Sequence, residues 1–555
     1  MKGYIKLNNH SSIFRLVVLV GALLLINGLT FLYYQNTVNQ TGEAYTYPLD
    51  DSYIHLAIAK NAAFHNNWGV TQDEFCSASS APAYTFIISV LMKVFGNNAL
   101  YPLFLNLIFG NLIIFSFFAY FKNKIWFIVS IFVLVTPVLL HVQILSGMEH
   151  TMQIFLVLTA FILFLKLSDN GFSNRKHRIL FLCTTALLCL TRYECMFFII
   201  PILIILLLNR QYSLFLLTGA AGFLPVVVFG LWSINHGGFF FPNSLLVKGR
   251  IMPGHGFFEI FQYYFQNLYD NVFSVTVILI PVIILFAIVL SDFIIGKTVA
   301  LNSSSFWDIV KGLVNLIKRH TAIFIVLATV LQHCIFAGIG WLYRYEAYLL
   351  VLLFFTLIIQ IIQNKITKER FFAVMPIAML VIIAYFSTKR LYDSHDTMKY
   401  AGKNIYDQSI QISRFLNKYY NDEMVMANDI GTITYYANIK LKDLIGLGSV
   451  DVLVYKKAAE REGKLGVPGH ALISEYKQSY PIVIIYDSWF GINSKDDYEK
   501  IGLIKIAEMW IENDRTFQGN HVSFYTSDDT MVDGMKQNML SFKKEIPDDV
   551  SLIVF

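Results

Sequence analysis

The segment YPLDDSYIHLAIAKN, Tyr47 to Asn61, sets two adjacent carboxylates, Asp50 and Asp51, at the head of a run with helical periodicity. It follows an apolar stretch, Ile13 to about Leu32, long enough to span a bilayer. Within the run, Ile54, Ala57, Ile58, Asn61 and Ala62 recur at helical spacing and place His55 four residues after Asp51 on one face. Aspartate is a favoured helix cap, which by itself accounts for one of the pair. A second carboxylate beside a membrane points to chemistry at the interface.

Of 555 residues, 56% are hydrophobic and 15% charged, too apolar a balance for an aqueous globule. The mean hydropathy of +0.55 agrees, and the chain reads as a mainly α, polytopic membrane protein. Lys2, Lys6 and Arg15 lie around the start of the first span and no small-residue cleavage site follows it, so an uncleaved helix with a cytoplasmic N-terminus is expected. The net charge of +5 is modest and nothing indicates nucleic acid. Cys76, Cys183, Cys189, Cys195 and Cys334 lack metal-ligand spacing and read as free thiols.

Charge asymmetry orients the rest. Residues 33–98 carry Glu43, Asp50, Asp51, Asp73 and Glu74 against Lys60 and Lys93, the bias of an outer loop. Lys166, Arg175, Lys176 and Arg178 mark a cytoplasmic one. Spans at 99–121, 125–144 and 149–167 then restore parity, with 80–95 too short to cross and expected along the outer surface. A hairpin of 178–191 and 194–208 follows, then a span at 212–232 and an outer loop at 233–272. Further spans are expected at 273–296, 321–339, 341–362 and 370–387, about eleven in all. From residue 388, MVMAND, KLKDLIG and PIVIIYDSW read as strands, with a helical stretch at 405–420. Two units are therefore expected: a transmembrane module, 1–387, and an extracytoplasmic α/β domain, 388–555.

On this topology Asp50, Asp51, Glu149, Arg192, Glu194, Lys248 and Arg344 converge on the outer face. Charge at a span costs roughly 2.5–3.5 kcal/mol at a helix centre, so such groups need partners or a function. Each also has a plainer reading. Glu149 sits in the first turn of a helix, Arg192 and Glu194 can pair with each other, and Lys248 and Arg344 can anchor at the headgroups.

Taken together these segments resemble the GT-C superfamily of membrane glycosyltransferases. The nearer likeness is to the branch of mycobacterial terminal arabinofuranosyltransferases and related bacterial enzymes. The family's acidic outer-loop motif matches residues 50–70, its S-G-x-E element matches Ser146 to Glu149, and its L-T-R-x-E tip matches Leu190 to Glu194. Its P-N-x-x-x-x-K-G loop matches Pro242 to Gly249, including Asn243, and its aromatic-then-arginine element matches Trp341 to Arg344. In the tail, NDIGTITYY at 428–436 and KDLIGLGSVD at 442–451 match as well. Tyr193 stands where the family usually has Pro, and SASSAPAY at 77–84 departs from a Gly-Tyr-Thr-rich element, so substrate identity is not carried over.

The resemblance implies a GT-C-like bundle in a bacterial inner membrane. Its expected reaction is transfer of a sugar, with inversion, from a polyprenyl-phosphate carrier to a hydroxyl of an envelope glycan, lipid or protein. Asp50 or Asp51 is the expected general base, with Glu149 assisting. Lys248, Arg344 and Arg192 are expected to neutralise the departing phosphate, supported by His55, Asn243 and Glu194. A divalent cation held by Asp50 and Asp51 is an alternative phosphate partner. Competing functions are a ligase or polymerase using lipid-diphosphate donors, and a transporter or flippase, which predicts charges near the midplane. For the tail, sugar binding, acceptor docking or a lid over the cleft are the alternatives, with Trp489 and Trp510 suited to stacking.

Overall fold

In a computed structural model, the structure describes residues 9–248, 272–295, 306–363, 370–461, 469–516 and 519–555. Five helices among them are long and apolar enough to cross a membrane: Ile13–Thr41, Tyr101–Tyr120, His150–Asp169, Tyr212–Asn235 and Ser274–Ile294. A sixth arises if Phe306–Arg319 and Thr321–Phe336, bent by 95° at their junction, count as one span. By length and composition the described residues give five or six spans against the eleven expected, because several apolar segments form shorter helices. The segment 125–144 is helical only over Lys124–Val135. Pro137 disfavours helix at the residue before it, Leu139 is left-handed at φ 54°, and a separate turn of helix covers Leu140–Leu145. Likewise 341–362 is helical only over Ala347–Ile362, and Pro82–Phe95 and Tyr193–Leu208 are also short.

The expected boundary at 387/388 falls inside one continuous helix, Arg370–Ile405, so the tail is joined to the bundle by helix and not by a flexible linker. Past it, a π-helical turn at Tyr406–Ile410 leads into the helix Gln411–Tyr419. The strands foreseen in the tail form as β1 (Met424–Ala427), β2 (Lys440–Asp443) and β3 (Ile482–Ile485). Three more complete the sheet: β4 (Ile504–Trp510), β5 (His521–Thr526) and β6 (Ser551–Val554). The order is β2-β1-β3-β5-β4-β6, with β1 parallel to β2 and β3, and the remaining pairs antiparallel.

The segment around Asp50 and Asp51 is where the two parts of this architecture join. The helix Asp51–Phe64 is buried along nearly its whole length. Tyr53, Leu56, Ala57 and Ala63 belong to the core of the helical bundle, whereas Ile54 and Ile58 belong to the core of the sheet domain with Ile430, Ile433 and Ile484. Apolar side chains on different sides of it are packed, and its buried polar groups Ser52, His55 and Asn61 are hydrogen-bonded. The two cores therefore meet on it, and the core of the sheet domain includes residues from the segment after the first span.

Candidate active site

Asp50 and Asp51, neighbours in sequence, do different things. The Asp50 carboxylate makes no capping bond to its own helix. It accepts hydrogen bonds from the Gly431 amide (2.5 Å) and from the Thr432 amide (2.7 Å) and hydroxyl (3.0 Å) in the sheet domain. Asp429 adds a further hydrogen bond to it. Burial raises the Asp50 carboxyl, opposed by these donors, while burial together with the Asp50 charge lifts Asp429 well above the carboxylate range. Burial and the neighbouring carboxylate thus both favour the neutral form of Asp429, whereas the amide and hydroxyl donors favour a charged Asp50.

Asp51 turns the other way. Its side chain is 22% exposed and forms an ion pair with Arg344, which is buried at 1%. Arg344 is delivered by an unusual turn: Trp341, Leu342 and Tyr343 are successively left-handed, at φ 48°, 55° and 60°. Such a conformation costs an L-residue about 1–2 kcal/mol. It is held by the Tyr343 carbonyl, which accepts from Gln143 Nε2 (3.0 Å) and Arg390 Nη2 (3.2 Å), and by Glu346, which accepts from the Gly340 amide (2.9 Å). Arg390 and Glu346 form a fully buried ion pair at 2.6 Å. Nε and Nη1 of Arg344 have no partner among the described residues.

Behind this pair lies a second charged cluster. Glu149, fully buried, meets His55 Nε2 at 3.2 Å and Arg192 Nη1 at 2.6 Å. His55 is fixed through Nδ1 by Thr85 Oγ1 (2.9 Å) and Ser79 Oγ (3.0 Å). Arg192 also forks onto Glu194, with Nε to Oε2 at 3.0 Å and Nη2 to Oε1. Two carboxylates thus occupy this guanidinium, which positions Glu149 and leaves Arg192 little free charge for a phosphate. The Tyr345 ring lies between the two arginines, 5.6 Å from Arg192 and 5.0 Å from Arg344, within cation–π range. His150, fully buried beside Tyr345, has neither ring nitrogen partnered among the described residues.

A family profile described as "Domain of unknown function (DUF8728)" matches residues 403–525, a minor part of the chain. No curated protein matches the chain. The crystal structure of ArnT from Cupriavidus metallidurans bound to undecaprenyl phosphate aligns over 92% of this chain and 99% of that one, at 11% identity and a TM-score of 0.52. Its apo state aligns over the same shares, also at 11% identity, with a TM-score of 0.50. The chain has an ArnT-like fold. This agrees with the GT-C-like architecture expected above. The archaeal oligosaccharyltransferase AglB from Archaeoglobus fulgidus, in complex with an inhibitory peptide and a dolichol-phosphate, aligns over 95% of this chain and 75% of that one, at 12% identity and a TM-score of 0.43. None of these matches singles out the arabinofuranosyltransferase branch.

Within the ArnT-like fold, the remaining expected residues separate. Asn243 is fully buried and tied to the sheet domain, its Nδ2 donating to the Leu447 carbonyl at 3.1 Å, so it braces the loop. The Lys248 side chain lies outside the described residues. A divalent cation does not fit between Asp50 and Asp51. The roughly four acceptor positions of the Asp50 carboxylate are taken by two amides, a hydroxyl and Asp429, and a guanidinium faces Asp51. Asp487, Glu508 and His521 also stand close enough to hold a cation, but Lys505 Nζ is already ion-paired with both acids, 3.2 Å from Asp487. Trp510 stacks on His521 at 4.1 Å and donates to Glu508 at 3.0 Å, whereas Trp489 is exposed.

Asp429, Gly431 and Thr432 lie in the matched NDIGTITYY stretch but were given no role by sequence, and Tyr345, His150 and the Arg390–Glu346 pair were not singled out at all. His150 and Tyr345 adjoin motif residues and were within reach of that reading. Arg390 had no local signal beyond being a cation near the end of an apolar run.

Proposed function

We propose that this chain is an inverting membrane glycosyltransferase that moves a sugar from a polyprenyl-phosphate carrier to a hydroxyl of an envelope glycan, lipid or protein. One observation carries the reading: a partly exposed carboxylate, Asp51, paired with a buried guanidinium, Arg344, two of whose nitrogens are uncommitted among the described residues. The ArnT-like fold supports it, since that ArnT structure holds undecaprenyl phosphate.

In the proposed step the acceptor oxygen attacks the anomeric carbon. The bond from that carbon to the phosphate oxygen breaks, and the configuration inverts. Asp51 takes the acceptor proton, and the lipid monophosphate leaves with an added negative charge that Arg344 stabilises in a water-poor site. Asp51 is favoured over Asp50 because the latter's acceptor positions are already filled. Glu149 orients His55 and Arg192 beside the site, and His150 and Tyr345 line the phosphate side. The N-terminus is assigned to the cytoplasm, and the site and sheet domain to the extracytoplasmic face of a bacterial inner membrane.

Purified protein incubated with a panel of polyprenyl-phosphate sugars and envelope acceptors tests this. Asp51→Asn should abolish transfer while the donor still binds; undiminished transfer by that variant would overturn the assignment.

A further inference from the structure

We infer that the short helix Gly431–Tyr436 of the sheet domain is the positioning element for the Asp50–Asp51 elbow, and that holding this elbow is the task of the 403–525 region in the reaction. The inference rests on the reading of Asp51 as the base.

The contact is made at both ends of the helix. At its start, unspent amides of the first turn donate to Asp50, 381 and 382 residues away in sequence. At its end, Lys60 donates from Nζ to the carbonyls of Thr434 (3.2 Å) and Tyr435 (2.6 Å), orphan acceptors of the last turn. Asp50 stands at the N-cap of one helix and Lys60 in its last turn and a half, so acid meets amides and base meets carbonyls in a single register. A slide along the axis breaks both contacts. Between the ends, the Tyr53 ring packs against those of Tyr435 and Tyr436 at 6.1 and 5.7 Å, and the Tyr435 hydroxyl donates to Asn97 at 2.9 Å.

Gly431 fixes how close the two helices come. A Cβ there would lie 2.2 Å from the Asp50 carbonyl oxygen, 2.8 Å from Asp50 Oδ2 and 2.9 Å from the Ile54 amide nitrogen. Two of these three are backbone atoms that no rotamer change can move. The glycine serves close approach and not a left-handed backbone, since its φ is not positive.

Asp51 follows Asp50 directly, so the clamp sets where its carboxylate stands, while Arg344 is placed independently by the left-handed turn and Arg390. The reacting groups meet only if both placements hold. A misplacement of about 1 Å costs on the order of 100-fold in rate.

The test uses the full-length protein in lipid nanodiscs. Gly431→Ala and Lys60→Met should each lower kcat at least tenfold with the donor KM within twofold, and Lys60→Arg should restore most of kcat. Hydrogen exchange should rise in peptides covering 49–64 and stay unchanged over 347–362. Thr432→Val, which removes one hydroxyl, supplies a milder variant should Gly431→Ala fail to fold. If Asp51→Asn abolishes transfer while these variants keep kcat within twofold, the positioning role is wrong. If Asp51→Asn is harmless, the proposed chemistry fails instead. Unchanged exchange over 49–64 in Gly431→Ala overturns the clamp whatever the activity.

Discussion

Replacing Arg390 by Met removes one member of an ion pair whose two side chains are both wholly buried. Left behind are the Glu346 carboxylate without its cation, and the Tyr343 carbonyl without one of its two donors. Breaking a buried pair from one side costs about 3–5 kcal/mol. Three successive left-handed residues cost roughly 3–6 kcal/mol in backbone energy, which this pair and the Gln143 bond help to offset. Arg390→Met should therefore lower stability by about 3–5 kcal/mol, up to the point where the turn relaxes, and should displace Arg344. Glu346→Gln should behave similarly. In the double variant no buried charge is stranded, so its destabilisation should fall short of the summed singles by about 1–3 kcal/mol. Transfer should stay low in all three, because the turn that aims Arg344 is released in each. Unfolding in mixed micelles with increasing sodium dodecyl sulfate gives the stabilities, and turnover gives the rates. Strict additivity, or full turnover in the Arg390→Met protein, would show that the pair does not hold this turn.

Other consequences can be checked alongside. Gly147 has φ +70°, and a Cβ there would lie 2.5 Å from the buried Tyr47 ring, so Gly147→Ala should destabilise by more than about 2 kcal/mol and disturb Glu149; a thermal midpoint equal to wild type would contradict this. Arg344→Lys keeps one charge but loses the planar fork, and should lower kcat by about 100-fold or more with folding retained; equal kcat would remove Arg344 from the phosphate role. Burial raises the Asp407 carboxyl to about 6 against the pull of Lys403, whose Nζ is 2.8 Å away. Its folded value lies above its unfolded one, so its contribution is fully present below pH about 4 and disappears as pH rises to about 6. Relative to Asp407→Asn, the wild type should lose about 2–3 kcal/mol across that window, and a gain instead would refute the sign.

Much of the bundle was legible because lipid solvation leaves a local signature. A helix crossing hydrocarbon must be apolar for about 20 residues, and the helices at 101–120, 150–169, 212–235 and 274–294 stand where the apolar runs are. The lengths of the helices were less legible, because apolarity does not report where a helix breaks. Thr136 to Leu139 and Trp341 to Tyr343 are as apolar as their surroundings, yet one interrupts a helix and the other forms a left-handed turn. In the tail, β1 and β3 stood out as short apolar runs, and β2 lay at the start of the KLKDLIG stretch. The strands β4 and β5 did not, because they carry Lys505, Glu508, His521 and Ser523, which satisfy one another and Asp487 across the sheet.

The aspartate pair shows where the division falls. Sequence alone determined that two acids open a helix just after a membrane span, because composition, spacing and charge bias are local properties. That one acid is buried against Gly431 and Thr432 while its neighbour faces Arg344 was decided only by tertiary structure. These contacts join residues about 290 and 380 positions away. Successive residues of a helix point about 100° apart, so adjacent carboxylates meet different surroundings, and only the packing of the two cores on this helix says which one is buried and which stays partly exposed.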